Sequence, residues 1–303
     1  MMRGLIDLSL FDKEQILTNL KMSVTLTADA AVDLHMHTTY SDGLWPAQQL
    51  IDYLVAEKYD LVAVTDHDRI DKVSEIQTLA AEKQLPILSG VEMSTRWNGL
   101  MGDLLCYGFD AEQNELAAIT EEIVHHRLEN TYEIYDNLIH KGYEFPRLEE
   151  IFAESNGKLT YPYQNAILLQ RHGYAADGSS AMRIVIDAGY RSSRVDMART
   201  VDAVHRSSGV ALIAHPGRRE GNFTFYHPEL LDQLRRDVAI DGIEVYHPSH
   251  SQESVAAYLE YVDKHDLLMS TGSDSHCSGS RMPMKHRAEL SRRLLERVGV
   301  NFK

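Results

Sequence analysis

Val32-Asp33-Leu34-His35-Met36-His37 alternates without a break. Val32, Leu34 and Met36 fall on one face and Asp33, His35 and His37 on the other. A period of two predicts a strand with one apolar and one polar face. Downstream of it, residues 46–57 predict a helix with Leu50, Ile51, Leu54 and Val55 on one stripe. Residues 60–65 form a short apolar run that ends in polar residues, 72–83 are helical, and 86–92 and 104–109 are further short strands. The rhythm returns later. Residues 210–214 end at His215-Pro216, 242–246 at His247-Pro248, and 267–271 at Gly272-Ser273-Asp274-Ser275-His276, with helical stretches at 199–207, 229–237 and 252–265. Strands alternating with helices imply a parallel sheet or barrel. Polar residues gather at the strands' C-terminal ends, where barrel enzymes keep their chemistry.

One interval breaks the repeat. Glu92 and His215 are too far apart for a single βα unit, and residues 113–195 are mostly helical in pattern. Within them, 115–140 carry Leu116, Ile119, Ile123, Leu128, Ile134 and Leu138 among charges. No Pro/Gly/Ser-rich linker sets this stretch apart, so it reads as a helical insertion able to cap a site and select a substrate. The expected organisation is an N-terminal extension over 1–30, a barrel domain over 31–112 and 196–303, and a cap over 113–195. Asp7, Asp12, Lys13 and Glu14 interrupt any apolar run near the start, so no secretory signal is expected; residues 11–22 form at most a short amphipathic helix. A cytoplasmic location follows as an expectation.

Composition narrows the function. Two cysteines, Cys106 and Cys277, exclude a disulfide scaffold and a four-cysteine zinc module. No apolar run reaches the roughly 18 residues of a membrane span. A formal charge of −15 argues against a basic surface for duplex nucleic acid. The figure out of line is 15 histidines.

Several of them are placed. His35 and His37, at i and i+2 on a strand, face the same way and can chelate one ion. Thr39-Tyr40-Ser41-Asp42-Gly43 offers the Asp42 carboxylate at once, and Thr65-Asp66-His67-Asp68 crowds His67 among acids. Gly90-Val91-Glu92 adds Glu92, Ala214-His215-Pro216-Gly217-Arg218 adds His215 and Arg218, and Ser273-Asp274-Ser275-His276 adds a second i, i+2 pair. Five histidines and three carboxylates thus converge on strand ends. A set of imidazole and oxygen donors without thiolate suits Mn²⁺, Fe²⁺ or Zn²⁺. Eight ligands are too many for one ion, so two or three divalent metals are expected, with Glu92 and a hydroxide bridging. Such a centre lowers the pKa of bound water and clamps the attacking and leaving oxygens of a phosphoryl displacement. Arg218 suits a non-bridging phosphate oxygen, its alternative being a surface ion pair. His247, at another strand end, either protonates a leaving group or binds phosphate, or is structural.

The motifs Asp33-Leu34-His35-Met36-His37, Ser41-Asp42-Gly43, Thr65-Asp66-His67-Asp68, Gly90-Val91-Glu92, Ala214-His215-Pro216 and Gly272-Ser273-Asp274-Ser275-His276 resemble, in order and spacing, those of the polymerase and histidinol phosphatase (PHP) superfamily. The resemblance spans roughly residues 31–110 and 200–280. It implies a distorted (β/α)₇ TIM-like barrel with a two- or three-metal centre that hydrolyses phosphoesters. Gly90-Val91-Glu92-Met93-Ser94, then Tyr107-Gly108-Phe109-Asp110, then a helical insertion, is similar to the branch with nucleoside 3′,5′-bisphosphate phosphatases, cyclic phosphodiesterases and 5′→3′ RNA-trimming enzymes. By the same resemblance His35, His37, Glu92 and Asp274 would hold one ion and Asp42, His67 and His276 a second, with Glu92 and His215 contributing to a third. Two positions depart from the branch: Asp103 stands where a histidine is usual, and is itself a candidate ligand, and Tyr161-Pro162-Tyr163 stands for Arg-Pro-His.

The remaining histidines, at 125, 126, 140, 172, 205, 227, 265 and 286, fall on predicted helices or loops and read as surface or packing groups, while His250 is undecided with His247. Both cysteines read as core or loop residues, and Trp45 and Trp97 as packing near the mouth of the barrel, with base stacking by Trp97 as an alternative. The leading function is a metal-dependent phosphoesterase acting on a small, nucleotide-like phosphate ester. The alternatives are a histidinol-phosphate phosphatase and a non-catalytic metal-holding regulatory module.

Overall fold

A computed structural model of the chain describes residues 24–153, 156–219, 223–277 and 281–303; the short helix expected over 11–22 lies outside them. The chain forms two compact units, one from Met1–Ala117 with Asp196–Lys303 and one from Ala118–Val195.

The first unit is α/β. Its elements begin with β1 (Thr25–Leu26), β2 (Ala31–Asp33), α1 (Ala47–Ala56), β3 (Leu61–Ala63), α2 (Val73–Glu82), β4 (Ile87–Leu88), β5 (Gly90–Trp97) and β6 (Leu100–Tyr107). Helix α3 (Leu116–His140) then leads into the second unit, which adds α4 (Leu148–Ile151), α5 (Tyr163–Arg171) and α6 (Gly178–Asp187). The first unit resumes through β7 (Val195–Asp196), α7 (Met197–Arg206), β8 (Val210–Ile213), α8 (Pro228–Asp237), β9 (Gly242–Tyr246), α9 (Gln252–His265), β10 (Leu268–Thr271), β11 (His286–Arg287), α10 (Arg292–Arg297) and β12 (Asn301–Phe302).

The strands make a six-stranded sheet in the order β10-β9-β8-β6-β5-β7, a four-stranded sheet β11-β2-β3-β4 and the pair β1-β12. β8, β9 and β10 are parallel, as are β2, β3 and β4. The all-parallel expectation fails at β5 and β6, which form an antiparallel hairpin with Gly90 opposite Tyr107, and β6 runs antiparallel to β8. The cause is a two-residue turn. Asn98 and Gly99 both have positive φ, +49° and +81°, as a type I′ hairpin turn requires. β5 therefore runs on past Glu92 to Trp97 instead of yielding to a helix. No hydrogen-bonded ring closes among the described strands. Two isolated bridges add to these: Met36–Ser275 links the segments after β2 and β10, and His67–Glu92 links the segment after β3 to β5.

The leading stretch also behaves differently from its alternation. Ladder pairing of β2 stops at Asp33, and both of its faces are fully buried, His35 and His37 included. The apolar face meets other side chains, as expected; the polar face meets further charged groups rather than water. β3 is sandwiched likewise. Leu61 and Ala63 join the inner core with Val32, Leu34, Leu105, Tyr107 and Leu212, while Val62 and Val64 pack outward on Leu50, Leu54 and Ile76 of α1 and α2. Burial on both faces is what parallel strands under a helical layer require.

The second unit has its own core from Ile134, Leu138, Phe145, Leu168, Leu169, Ala181 and Val185. A capping box between Asp177 and Ser180 starts α6. One position on α3 departs from the expected apolar stripe: Leu128 is 40% exposed, while Arg127 is nearly buried, its guanidinium over the Tyr161 ring at 4.9 Å. Among the described residues, no helix is long and apolar enough to cross a membrane.

Candidate metal centre

His35 and His37 follow β2 in extended chain, and their Nε2 atoms approach to 3.2 Å. Glu92 Oε2 lies 3.0 Å from His35 Nε2 and 3.2 Å from His37 Nε2, and Asp274 Oδ1 lies 3.5 and 3.1 Å from the same two atoms. These four side chains are buried. A second group forms beside them. Asp42 lies 3.7 Å from His37 Nδ1, 4.0 Å from His67 Nε2 and 3.1 Å from His276 Nε2. A third gathers Glu92, Asp103 and His215, with Glu92 Oε1 3.0 Å and Asp103 Oδ2 3.9 Å from His215 Nε2. Glu92 belongs to the first and third groups through different oxygens, and its Oε2 also lies 3.4 Å from His67. All nine sequence-derived ligand candidates are thus within one cluster.

The cluster fits divalent cations on its own chemistry. Buried ionic groups need pairing or coordination. Here Nδ1 of His37 and of His67 is buried without a hydrogen-bond partner, and two imidazole nitrogens face each other between carboxylates. Burial works against charge on His35 and His37, but Glu92, Asp274 and their neighbours outweigh it. His35 is pushed well above the usual imidazole range and His37 up to about 10. Histidines outweigh desolvation at both carboxylates, His67, His35 and His215 at Glu92 and His35, His247 and His37 at Asp274, and both carboxyls fall well below the usual range. An entering cation takes the place of these protons.

A group that the alternation pattern missed organises the centre. Glu244, fully buried on β9, accepts from His35 Nδ1 at 3.0 Å and from the His215 backbone N–H at 2.7 Å. With its proton on Nδ1, His35 turns the Nε2 lone pair into the cluster, as second-layer carboxylates do for metal-bound histidine. Desolvation would raise the Glu244 carboxyl, but His35 and His247 hold it down at about 2. Gly272 permits the approach, because a Cβ there would lie 2.2 Å from His35 Cβ and 2.8 Å from Glu244 Oε1. The one signal in the sequence was an acid inside the apolar run Gly242-Ile243-Glu244-Val245-Tyr246.

Asp66 plays a comparable part for Asp42. Its carboxylate accepts from Thr38 N–H at 2.8 Å, Thr38 Oγ1 at 2.7 Å and Ser41 Oγ at 2.6 Å, which fixes the loop that carries the partly exposed Asp42. Two candidate ligands sit in strained backbone, His215 at φ +29° and Asp274 at φ +49°. Non-glycine residues in such conformations concentrate at functional sites.

Beside the cluster opens a cavity of about 240 Å³ whose walls include Arg218, His247, Ser249, Ser273, Asp274 and Arg281. Nδ1 of His247 accepts from the Ser249 backbone N–H at 3.1 Å, and its buried Nε2 lies 3.3 Å from Asp274 Oδ2 without a hydrogen-bond partner. With His35 and Glu244, His247 makes a further buried group that could hold an ion. Arg218 stacks on Phe223 at 3.9 Å and places Nη1 3.8 Å from Asp274 Oδ2. Arg281, absent from the sequence-derived set, binds the Asp274 carboxylate and its backbone carbonyl, the latter at 2.9 Å.

His250 is structural, since it receives the Gly217 N–H at 3.0 Å and gives Nδ1–H to the Val245 carbonyl at 2.8 Å. His205, His227 and His265 each sit beside one carboxylate away from the cluster. His286 departs from its expected helix or loop and lies on β11. Trp97 is buried and donates to Asp237 at 2.9 Å, which leaves no free face for a base. Cys277 packs on Ser275, outside the ligand groups.

Comparison with known proteins agrees with this chemistry. The chain is 29% identical over 262 residues to a 3′,5′-nucleoside bisphosphate phosphatase of Chromobacterium violaceum, covering 82% of this chain and 88% of that one. It is 26% identical over 248 residues to a 5′-3′ exoribonuclease of Haemophilus influenzae, covering 80% and 89%. A Bifidobacterium adolescentis protein solved as a candidate metal-dependent phosphoesterase shares the fold, with TM-score 0.72, 23% identity and coverage of 89% and 96%. The PHP domain matches residues 33–226, and the chain belongs to the PHP family of metal-dependent phosphoesterases.

Proposed function

We propose that the chain hydrolyses a phosphate ester of a small nucleotide or nucleotide-like molecule, with two or three divalent ions, Mn, Fe or Zn, at the cluster. The observation that carries this is Glu92, whose two oxygens serve separate donor groups. His35, His37, Glu92 and Asp274 would hold one ion, Asp42, His67 and His276 a second, and Glu92, Asp103 and His215 a third. When bound, such ions lower the pKa of a coordinated water and clamp phosphoryl oxygens.

The chain's own residues do the rest. Glu244 and Asp66 keep His35 and Asp42 oriented. Arg218 offers its guanidinium to a non-bridging oxygen. His247 presents Nε2–H to the leaving-group oxygen. Nucleotide substrates are favoured by the names of the two relatives above. A (β/α)₇ barrel for the first unit, supported by the bridges Met36–Ser275 and His67–Glu92, and substrate selection by an insertion over 113–195 belong to the same proposal.

The test is turnover of a panel of phosphomonoesters and diesters with Mn²⁺. Hydrolysis by wild type that is abolished in His35→Ala supports the reading; an inert wild type, or an H35A variant with full activity, rejects it.

A further inference from the structure

Asp274 divides its carboxylate between two environments. Oδ1 faces His37 and His35 at 3.1 and 3.5 Å, inside the cluster. Oδ2 faces the cavity, where side chains from three loops approach it: Arg218 Nη1 at 3.8 Å, His247 Nε2 at 3.3 Å and Arg281 Nη2 in direct contact. Two guanidiniums that meet at one oxygen can also meet on one tetrahedral anion in the adjoining space. Both are held in place. Phe223 backs Arg218. The Arg281 carbonyl accepts from Ser275 Oγ at 2.7 Å and Cys277 N–H at 3.1 Å, which fixes its backbone beneath the cavity. Arg281 keeps 40% of its side chain exposed, room enough for a ligand to reach it. The Ser249 and Ser273 side chains complete the polar part of the wall.

Charge decides which anion suits. Two guanidiniums against one carboxylate leave the cavity positive, and the carboxylate's other oxygen is already engaged with the cluster. A phosphate monoester carries about −1.5 to −2 near neutral pH, and a diester has a single ionisable oxygen. We propose that Arg281, acting with Arg218 across the cavity, is a specificity-determining residue that favours a terminal, doubly ionised phosphate over a diester. This rests on the phosphoesterase reading above.

The experiment compares full-length, Mn²⁺-loaded wild type with Arg281→Gln, Arg281→Met and Arg281→Lys. R281Q keeps an N–H donor for the Asp274 carbonyl and so tests the charge even where R281M does not fold. Three quantities are read: kcat/KM for p-nitrophenyl phosphate and for bis(p-nitrophenyl) phosphate, the affinity for inorganic phosphate by calorimetry, and metal content. The monoester-to-diester ratio is expected to fall roughly 10- to 100-fold in R281Q and R281M, the size of one charge-assisted hydrogen bond. Phosphate affinity should weaken by a similar factor at unchanged metal content, and R281K should recover part of both. Equal losses on the two esters with unaltered phosphate affinity would overturn the proposal, as would loss of metal accounting for the whole effect. If wild type hydrolyses neither ester, the activity reading fails by itself. The phosphate titration still decides the clamp, because equal affinity in wild type and R281Q rejects it.

Discussion

Replacing Glu244 by Gln should uncouple metal affinity from the ligands themselves, none of which changes. The wild-type carboxylate accepts two hydrogen bonds through different oxygens, from His35 Nδ1 at 3.0 Å and the His215 N–H at 2.7 Å. A glutamine has one oxygen to offer. If it serves His215, the amide N–H₂ faces His35 Nδ1 and forces the ring proton onto Nε2, the atom turned toward Glu92 and His37. If it serves His35, two donors collide at His215. Either arrangement loses one hydrogen bond to a buried charged group, about 1.5–3 kcal/mol. The same figure follows from outer-layer substitutions at metal-bound histidines, which cost roughly 10- to 100-fold in affinity or activity, or about 1.4–2.8 kcal/mol. The assay is calorimetric titration of Mn²⁺ and Zn²⁺ into metal-free wild type and E244Q, beside thermal melts that establish folding. A folded E244Q that binds metal within threefold of wild type would refute the argument that Glu244 sets the His35 tautomer.

Four further outcomes are expected. Asp103→Asn should lower bound metal by one ion per chain while the His35 group stays loaded, as read by elemental analysis. Gly272→Ala puts a Cβ 2.2 Å from that of His35, and such overpacking should cost about 1–3 kcal/mol in urea unfolding. In metal-free protein the folded pKa of His37, raised from 6.5 to about 10, lies above its unfolded value. Its contribution to stability is complete below pH 6.5 and lost as pH rises through 10, so metal-free melting temperatures should fall across that window; a flat profile would contradict the pairing described for His37. Asp66→Ala frees Thr38 and Ser41 and should weaken metal binding at the Asp42 group more than at the His35 group, distinguishable by the stoichiometry of tight sites in a chelator competition.

Much of the centre could be read in the chain because its ligands obey short rules. His35 and His37 are two residues apart in extended chain, Asp274 and His276 repeat that spacing after β10, and His67, Glu92 and His215 terminate short apolar runs. The supporting groups obey no such rule. Glu244 sits inside a run that reads as plain core, and Arg281 reaches Asp274 from a loop whose course no periodicity reports. The fold was legible where strand and helix alternate, and misread at β5 and β6. There the alternation was followed only to Glu92, although Asn98-Gly99 carried the hairpin signal in plain view. Leu128 and Arg127 exchange expected environments because a stripe on a long helix tells only that one face is apolar, whereas an aromatic ring such as Tyr161 can bury a guanidinium.

The reach of the buried network also bears on how the protein acquires its ions. Asp33 receives the Ser273 N–H across 240 positions of sequence. Glu92 and His215 are 123 positions apart, so at translation rates of about 5–20 residues per second the ligands up to Glu92 exist for roughly 6–25 s before His215 emerges. During that interval His35, His37, Asp42, His67 and Glu92 stand without Asp274, His276 or His215. A partial, pliable donor set ranks ions by intrinsic affinity, in which copper and zinc outrank manganese and iron, and only the finished enclosure imposes geometry. Where ions do not exchange afterwards, the ion carried would reflect the order of synthesis as well as the finished pocket. Chains refolded in a mixture of metals, and chains folded first and loaded afterwards, should carry different ions.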